Sequence, residues 1–107
     1  MNSIVEECKN YVEGLLALIC EEVNIKQVIV EKNGVQSIFS YDTINEKPLG
    51  FDDNFPIFSL IFTGNIREDM QTIRSICSDG LKQRSDGKIK VRQPLQSITI
   101  YIGSKHV

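Results

Sequence analysis

Three cations in the second half of this chain stand at alternate positions: Lys88, Lys90 and Arg92, with Ile89 and Val91 between them. In an extended backbone successive side chains point to opposite faces. The spacing therefore predicts a short strand over 88–92, basic on one side and β-branched on the other. Lys82 and Arg84 lie just upstream, across a Ser85-Asp86-Gly87 turn. The stretch 82–92 carries five basic residues and one acid, Asp86, in a chain of net charge −2. Closely spaced cations suit phosphate, which asks for charge and N–H donors. The same spacing also suits a solvated strand face, and no aromatic residue separates the cations.

The other reactive residue types are scattered. Asp52 and Asp53 form an acidic pair, but no third carboxylate or glycine-spaced loop accompanies them as a cation site requires. Cys8, Cys20 and Cys77 contain no Cys-x-x-Cys pair, and an odd count fits a reducing compartment. A cytoplasmic location is expected. Cys8 and Cys77 fall on apolar helix faces and read as buried structural thiols. His106 stands at position 106 of 107 without neighbouring ligands. A glycine-rich phosphate loop, a zincin histidine pair, a nucleophile elbow and paired catalytic carboxylates are all missing from the sequence. The chain supports no enzyme in isolation and calls for no cofactor and no metal. No apolar run approaches the roughly 20 residues that cross a bilayer. Met-Asn-Ser-Ile-Val-Glu-Glu lacks the basic region of a signal peptide, so no membrane contact is expected.

At 107 residues and 41% hydrophobic content the chain fits one globular domain, 1–107. Charge is unevenly spread. Residues 1–56 hold ten acids and four bases, and residues 57–107 hold four acids and eight bases. The second half is thus the half suited to RNA, although a pI near 5.3 argues against a general nucleic-acid binder.

Residues 3–23 carry apolar side chains at helical period, with Ser3 and Glu6 as a capping box. Gly14 interrupts this helix and suggests a close packing approach; Asn24 suits its end. Residues 26–31 and 35–41 read as strands joined by Asn33-Gly34, a hairpin signal. Residues 42–56, with Pro48, Gly50 and Pro56, read as a loop, and 57–62 as a mostly buried strand. Asn65 with Glu68 caps a second helix, 66–82, with Ile66, Met70, Ile73, Ile76, Cys77 and Leu81 on its core side and Asp69 facing elsewhere. Pro94 breaks the chain before a last strand, 97–102. The predicted order is α-β-β-β-α-β. The predicted class is α+β: a two-layer sandwich with two amphipathic helices on one face of a mostly antiparallel sheet of three to five strands.

Two segments carry a resemblance. Lys90-Val91-Arg92-Gln93-Pro94-Leu95, after the helix 70–81 and before the strand 97–101, resembles the C-terminal anticodon-binding region of isoleucyl-tRNA synthetases. Glu21-Glu22-Val23-Asn24-Ile25-Lys26-Gln27-Val28 is similar to that family's Glu-Glu-Leu-Asn-Val-Lys-x-Val segment, a helix end leading into a strand. With the flanking helix and strand they span a little over a third of the chain. In the family the Arg-Gln-Pro-Leu segment comes first; here the order is reversed, as in a circularly permuted domain. Joining Val107 to Met1 would make strand 97–102, helix 3–23 and strand 26–31 one β-α-β succession. The His-x-Gly-His and Lys-Met-Ser-Lys-Ser signatures of class I synthetases are absent from this sequence. The resemblance implies a tRNA-contacting appendage of an isoleucine-tRNA ligase, non-catalytic in isolation. Lys82, Arg84, Lys88, Lys90 and Arg92 would meet phosphate, with a synthetase body or another protein as a further partner. The alternative is a protein-interaction or structural domain without RNA binding, pairing through strand 35–41.

Overall fold

The apolar periodicity at the start of the chain becomes one long helix, α1 (Ser3–Val23). The computed structural model describes residues 3–52, 55–90 and 92–101, and the side chains of 7–52, 57–58, 60–90 and 92–101. The Ser3–Glu6 capping box, Asp53, Val91, Ile102 and His106 lie outside the residues so described. Val12, Leu15, Leu16, Ile19, Cys20 and Val23 are all buried. Their spacing of three and four places them on one stripe. Asn24 ends the helix with φ 63°, a left-handed conformation that asparagine tolerates.

Strands β1 (Ile25–Lys32) and β2 (Val35–Asp42) pair antiparallel, with Lys32 opposite Val35. Asn33 and Gly34 between them have φ 54° and 83°. Two positive φ values define the turn whose twist matches a hairpin, and this dipeptide supplies them cheaply. Asp42 then organises the next reversal, accepting from the backbone N–H of Ile44 (2.9 Å) and Asn45 (3.1 Å).

The third strand is β3 (Lys47–Phe51), inside the expected loop. It pairs antiparallel with β2 and forms one edge of the sheet. An edge strand tolerates Pro48, because a proline there need not donate to a neighbour. The expected strand 57–62 is instead a 3₁₀ helix over Phe55–Leu60. Proline suits the first turn of a helix, and Pro56 stands there. Within it Phe58 is inaccessible while Leu60 is 53% exposed. Phe58 closes an aromatic row, its ring 5.4 Å from that of Phe51, which lies 5.1 Å from Phe39.

Helix α2 (Ile66–Asp86) is one turn longer than expected. Strand β4 (Leu95–Tyr101) then lies parallel to β1, giving the sheet order β3-β2-β1-β4. The architecture is α+β: two amphipathic helices and a four-stranded, mostly antiparallel sheet. Register places Val28 and Val30 of β1 beside Phe39 and Ser37 of β2 and Ile98 and Ile100 of β4. That face carries α1, and α2 packs beside α1. β1 pairs with β2 over Val35–Ser40 and β3 pairs with it over Phe39–Asp42, so β2 is an interior strand of the sheet. Among the described residues no helix is long and apolar enough to cross a membrane.

Asp69 departs most from expectation. It is fully buried, although periodicity placed it away from the core. Its carboxylate accepts from the Tyr11 hydroxyl of α1, from the Thr63 N–H (2.8 Å) and hydroxyl (3.1 Å), and from the Gly64 N–H (3.0 Å). Burial opposes its ionisation, but the donors from Tyr11, Thr63 and Gly64 outweigh burial and hold it below the usual carboxylate range. Tyr11 is pushed up to about 12 by burial and by the Asp69 carboxylate it bonds. Nearby, Asn65 caps α2 as expected, accepting from the N–H of Arg67 and Glu68. The N–H of Asn65 itself donates to Thr63 Oγ1 (3.0 Å).

The close approach lies at Gly80, and Gly14 is exposed. A Cβ at Gly80 would sit 3.1 Å from Val23 Cγ1 and 3.5 Å from Ile98 Cδ1, whereas one at Gly14 would meet nothing within 4 Å. Cys8 is exposed, while Cys20 and Cys77 are buried.

Two predictions follow from the packing. Gly14→Ala raises stability by about 0.5–1 kcal/mol through helix propensity, and Gly80→Val lowers it by about 1–3 kcal/mol through crowding, both read by urea unfolding. Asp69 ionises more readily folded than unfolded, so its contribution is complete above about pH 4 and is lost as pH falls through its lowered folded value. Asp69→Asn should cost about 2–4 kcal/mol at pH 7 and flatten the acid limb of a stability–pH curve.

Candidate nucleic-acid interface

The basic stretch begins inside a helix and continues in a tight loop. Helix α2 runs through Lys82 and Arg84 to Asp86. It ends with the N–H of Ile89 on the Arg84 carbonyl (2.8 Å) and the N–H of Lys88 on the Ser85 carbonyl (3.0 Å). These two bonds form a Schellman ending, with Lys88 at the left-handed position and an apolar residue, Ile89, after it. Lys88 has φ 59°. Glycine is the usual residue there because a Cβ crowds the following carbonyl.

Beyond the ending, residues 88–90 and 92 lie outside any strand, where one was expected over 88–92. The N–H of Gln93 donates to the Lys90 carbonyl (3.0 Å), closing a turn that contains Arg92. Lys88 and Ile89 serve the helix ending, and the Lys90 carbonyl accepts in the turn that follows. Leu95 N–H then donates to the Asn24 carbonyl (3.0 Å), which ties the loop to the α1–β1 junction and starts β4.

Four of the five expected contact residues are exposed: Lys82, Lys88, Lys90 and Arg92. The fifth, Arg84, is 2% exposed and cannot reach a nucleic-acid backbone. Its Nη2 donates to the carbonyls of Lys90 and Gln93. These bonds explain its burial: the guanidinium is the internal brace of the loop that displays its neighbours. A cation in the last turn also complements the negative end of the helix dipole. Asp86, exposed at the end of α2, offsets part of the surface charge.

The residues that sequence reasoning misplaced share one signal. Asp69, Ile73, Cys77, Gly80 and Arg84 are the buried positions of α2, spaced by three and four. Both charged residues stand in line with the apolar ones, which is the pattern of a buried polar anchor at each end. Ile66, expected in the core, continues that stripe but is the first residue of the helix and is 57% exposed.

Other titratable groups among the described residues are held in their neutral forms. Tyr41 donates to Glu21 Oε2 (2.9 Å) and is pushed up to about 12 by burial and that carboxylate. Cys20 is raised to about 12 by burial and by the nearby charges of Glu21 and Cys77. Cys77 is raised to about 11 by burial and Glu22. Thiols held so high carry almost no thiolate at neutral pH. Among the described residues no three His, Cys, Asp or Glu side chains are grouped to hold a metal ion.

Lys88→Gly relieves the left-handed strain and should raise stability by about 0.5–1 kcal/mol, measured by denaturant unfolding. The exposed positions Lys82 and Arg92 carry no such strain, and their change to Gln should leave stability within about 0.5 kcal/mol.

Comparison with protein-family models, with curated proteins and with solved structures finds no match to this chain.

Proposed function

We propose that this chain is a tRNA-contacting domain of the anticodon-binding type found in isoleucyl-tRNA synthetases, non-catalytic by itself. The observation that carries the reading is the platform of four exposed cations, Lys82, Lys88, Lys90 and Arg92, on the end of α2 and its loop. Lys88 holds a position where glycine would be more stable, so charge is kept there at a cost in backbone strain. The two segments that carry the family resemblance also lie side by side. Leu95 bonds Asn24, and β4 runs parallel to β1 from the pair Ile25–Leu95 onward. Parallel neighbours are the arrangement that a β-α-β succession produces, in keeping with a permuted order of those segments.

In this reading the four cations meet phosphate oxygens. Such contacts position RNA without reading bases, and an A-form helix is met largely through shape and backbone. Arg84 takes no part in the contact; it holds the Lys90 and Gln93 carbonyls and so fixes the loop.

The test is a titration of the chain with labelled tRNA at about 50 and 200 mM salt. If all four cations meet phosphates, affinity falls by about 50- to 150-fold between the two. Lys88→Glu with Lys90→Glu should abolish binding while the far-ultraviolet dichroism stays unchanged. Binding that ignores salt, or survives the double substitution, would refute the proposal.

A further inference from the structure

The two edges of the sheet are protected unequally. An edge strand presents unpaired N–H and C=O groups on which another strand can form. On one edge, β3 carries Lys47 and Pro48, and its pairing with β2 slips in register between Ser40 and Tyr41. Charge, proline and irregular pairing each discourage strand addition. On the other edge, β4 from Leu95 to Tyr101 holds no proline and no charged residue. Its run Ile98-Thr99-Ile100-Tyr101 consists of residue types that favour extended backbone. Among the described residues no strand lies on its outer side.

Register fixes which groups of β4 face outward. Leu95 pairs with Ile25 of β1, and its N–H donates to the Asn24 carbonyl (3.0 Å). In a parallel ladder alternate residues direct their backbone groups to the same neighbour. Leu95, Ser97 and Thr99 therefore turn inward to β1, while Gln96, Ile98 and Ile100 turn outward. Beside that edge runs α2, and the two enclose a groove of about 330 Å³. This is about eleven times the share of one water in the liquid, which accommodates side chains of a strand rather than a helix. Ile76 of α2 and Ile98 and Ile100 of β4 make its wall apolar. Exposed Asp79 is the one charged residue among its described lining residues.

We propose that an extended segment of a partner protein adds antiparallel to the outer edge of β4, with aliphatic side chains against Ile76 and Ile100 and a basic side chain against Asp79. Main-chain bonds to Ile98 and Ile100 hold such a strand, and the groove selects among its alternate side chains. Antiparallel pairing is slightly the more stable per residue. The charge of Asp79 favours this occupant over a second copy of the chain. A two-fold contact sets one patch against itself, so it brings a second Asp79 and no cation from the groove. The site is separate from the exposed cations and does not depend on the tRNA reading.

The test is amide hydrogen exchange of the full chain labelled with ¹⁵N. The probe is acetyl-Thr-Val-Thr-Lys-Thr-Val-Thr-amide, whose valine and lysine side chains share one face of a strand. Half-saturation should be on the order of 1 mM. At about 10 mM the peptide should slow exchange of the Ile98 and Ile100 amides about tenfold. Methylating the valine and lysine backbone nitrogens removes the donors that face β4 and should abolish the slowing. A peptide with glutamate in place of lysine should bind about threefold more weakly, and Asp79→Lys, a change at an exposed position, should reverse that order. Ile98 and Ile100 amides unslowed at about 10 mM peptide would overturn the proposal. So would equal slowing by the methylated peptide, or an order of the lysine and glutamate peptides that Asp79→Lys leaves unchanged. Slowing of the same amides on concentrating the chain alone would also overturn it and assign the edge to a second copy.

Discussion

A carboxylate with no access to water ties the two helices of this protein together. Asp69 receives the Tyr11 hydroxyl from α1 and the backbone of Thr63 and Gly64 from the turn before α2. Its charge sits in the first turn of α2, where the helix dipole favours an anion. A buried charge is tolerated only when its acceptor sites are filled in good geometry, so the contact admits little freedom in where α2 begins. From that anchor the helix descends past Ile73 and Cys77 to Gly80, where it lies against Val23 and Ile98. The line of α2, and so the place where its last turn emerges, is set by these two points.

Arg84 stands at the far end of the same stripe and does the complementary task. Its bonds to the Lys90 and Gln93 carbonyls shape the loop from inside, while Lys88, Lys90 and Arg92 remain outside. One basic residue of a cluster is thus an internal support, and the others are available to solvent. Charge counting cannot separate these roles. Burial does so at once.

Much of the fold was legible from local chemistry. Asn24, Asn33-Gly34 and Asn65 each act through their own backbone or side-chain geometry, and each marks the boundary its residue type suggests. The two helices, the first hairpin and the last strand follow local signals of this kind, but the third strand does not: it lies at Lys47–Phe51 and not at the expected 57–62. What local chemistry did not reveal depends on neighbours. Pro48 reads as a breaker unless its strand lies at an edge, and an edge is a tertiary fact. The run Ile57–Phe62 has strand composition, yet among its described side chains Phe58 alone is fully buried. The cation alternation over 88–92 mimics a strand because α2 continues to Asp86 and spends the following residues on its own ending. Of the five expected contact residues, four are placed at the surface. Arg84 was misread because a charged residue in an apolar stripe has no sign of burial other than its spacing.

The parallel pairing of β4 with β1 also has a kinetic meaning. Every partner pair across that ladder, from Ile25–Leu95 to Glu31–Tyr101, is separated by 70 residues. The hairpin of β1 and β2 closes across two residues. Contacts so distant in sequence carry a large loop-closure entropy and raise the contact order, which slows folding. The final strand therefore has the least local support in the sheet, and the loop, braced within itself by Arg84, is joined to the α1–β1 junction through Leu95 and Asn24 only when that strand docks. The basic loop keeps its own local bonds without that pairing, but its position against the α1–β1 junction is fixed last, when the final strand docks.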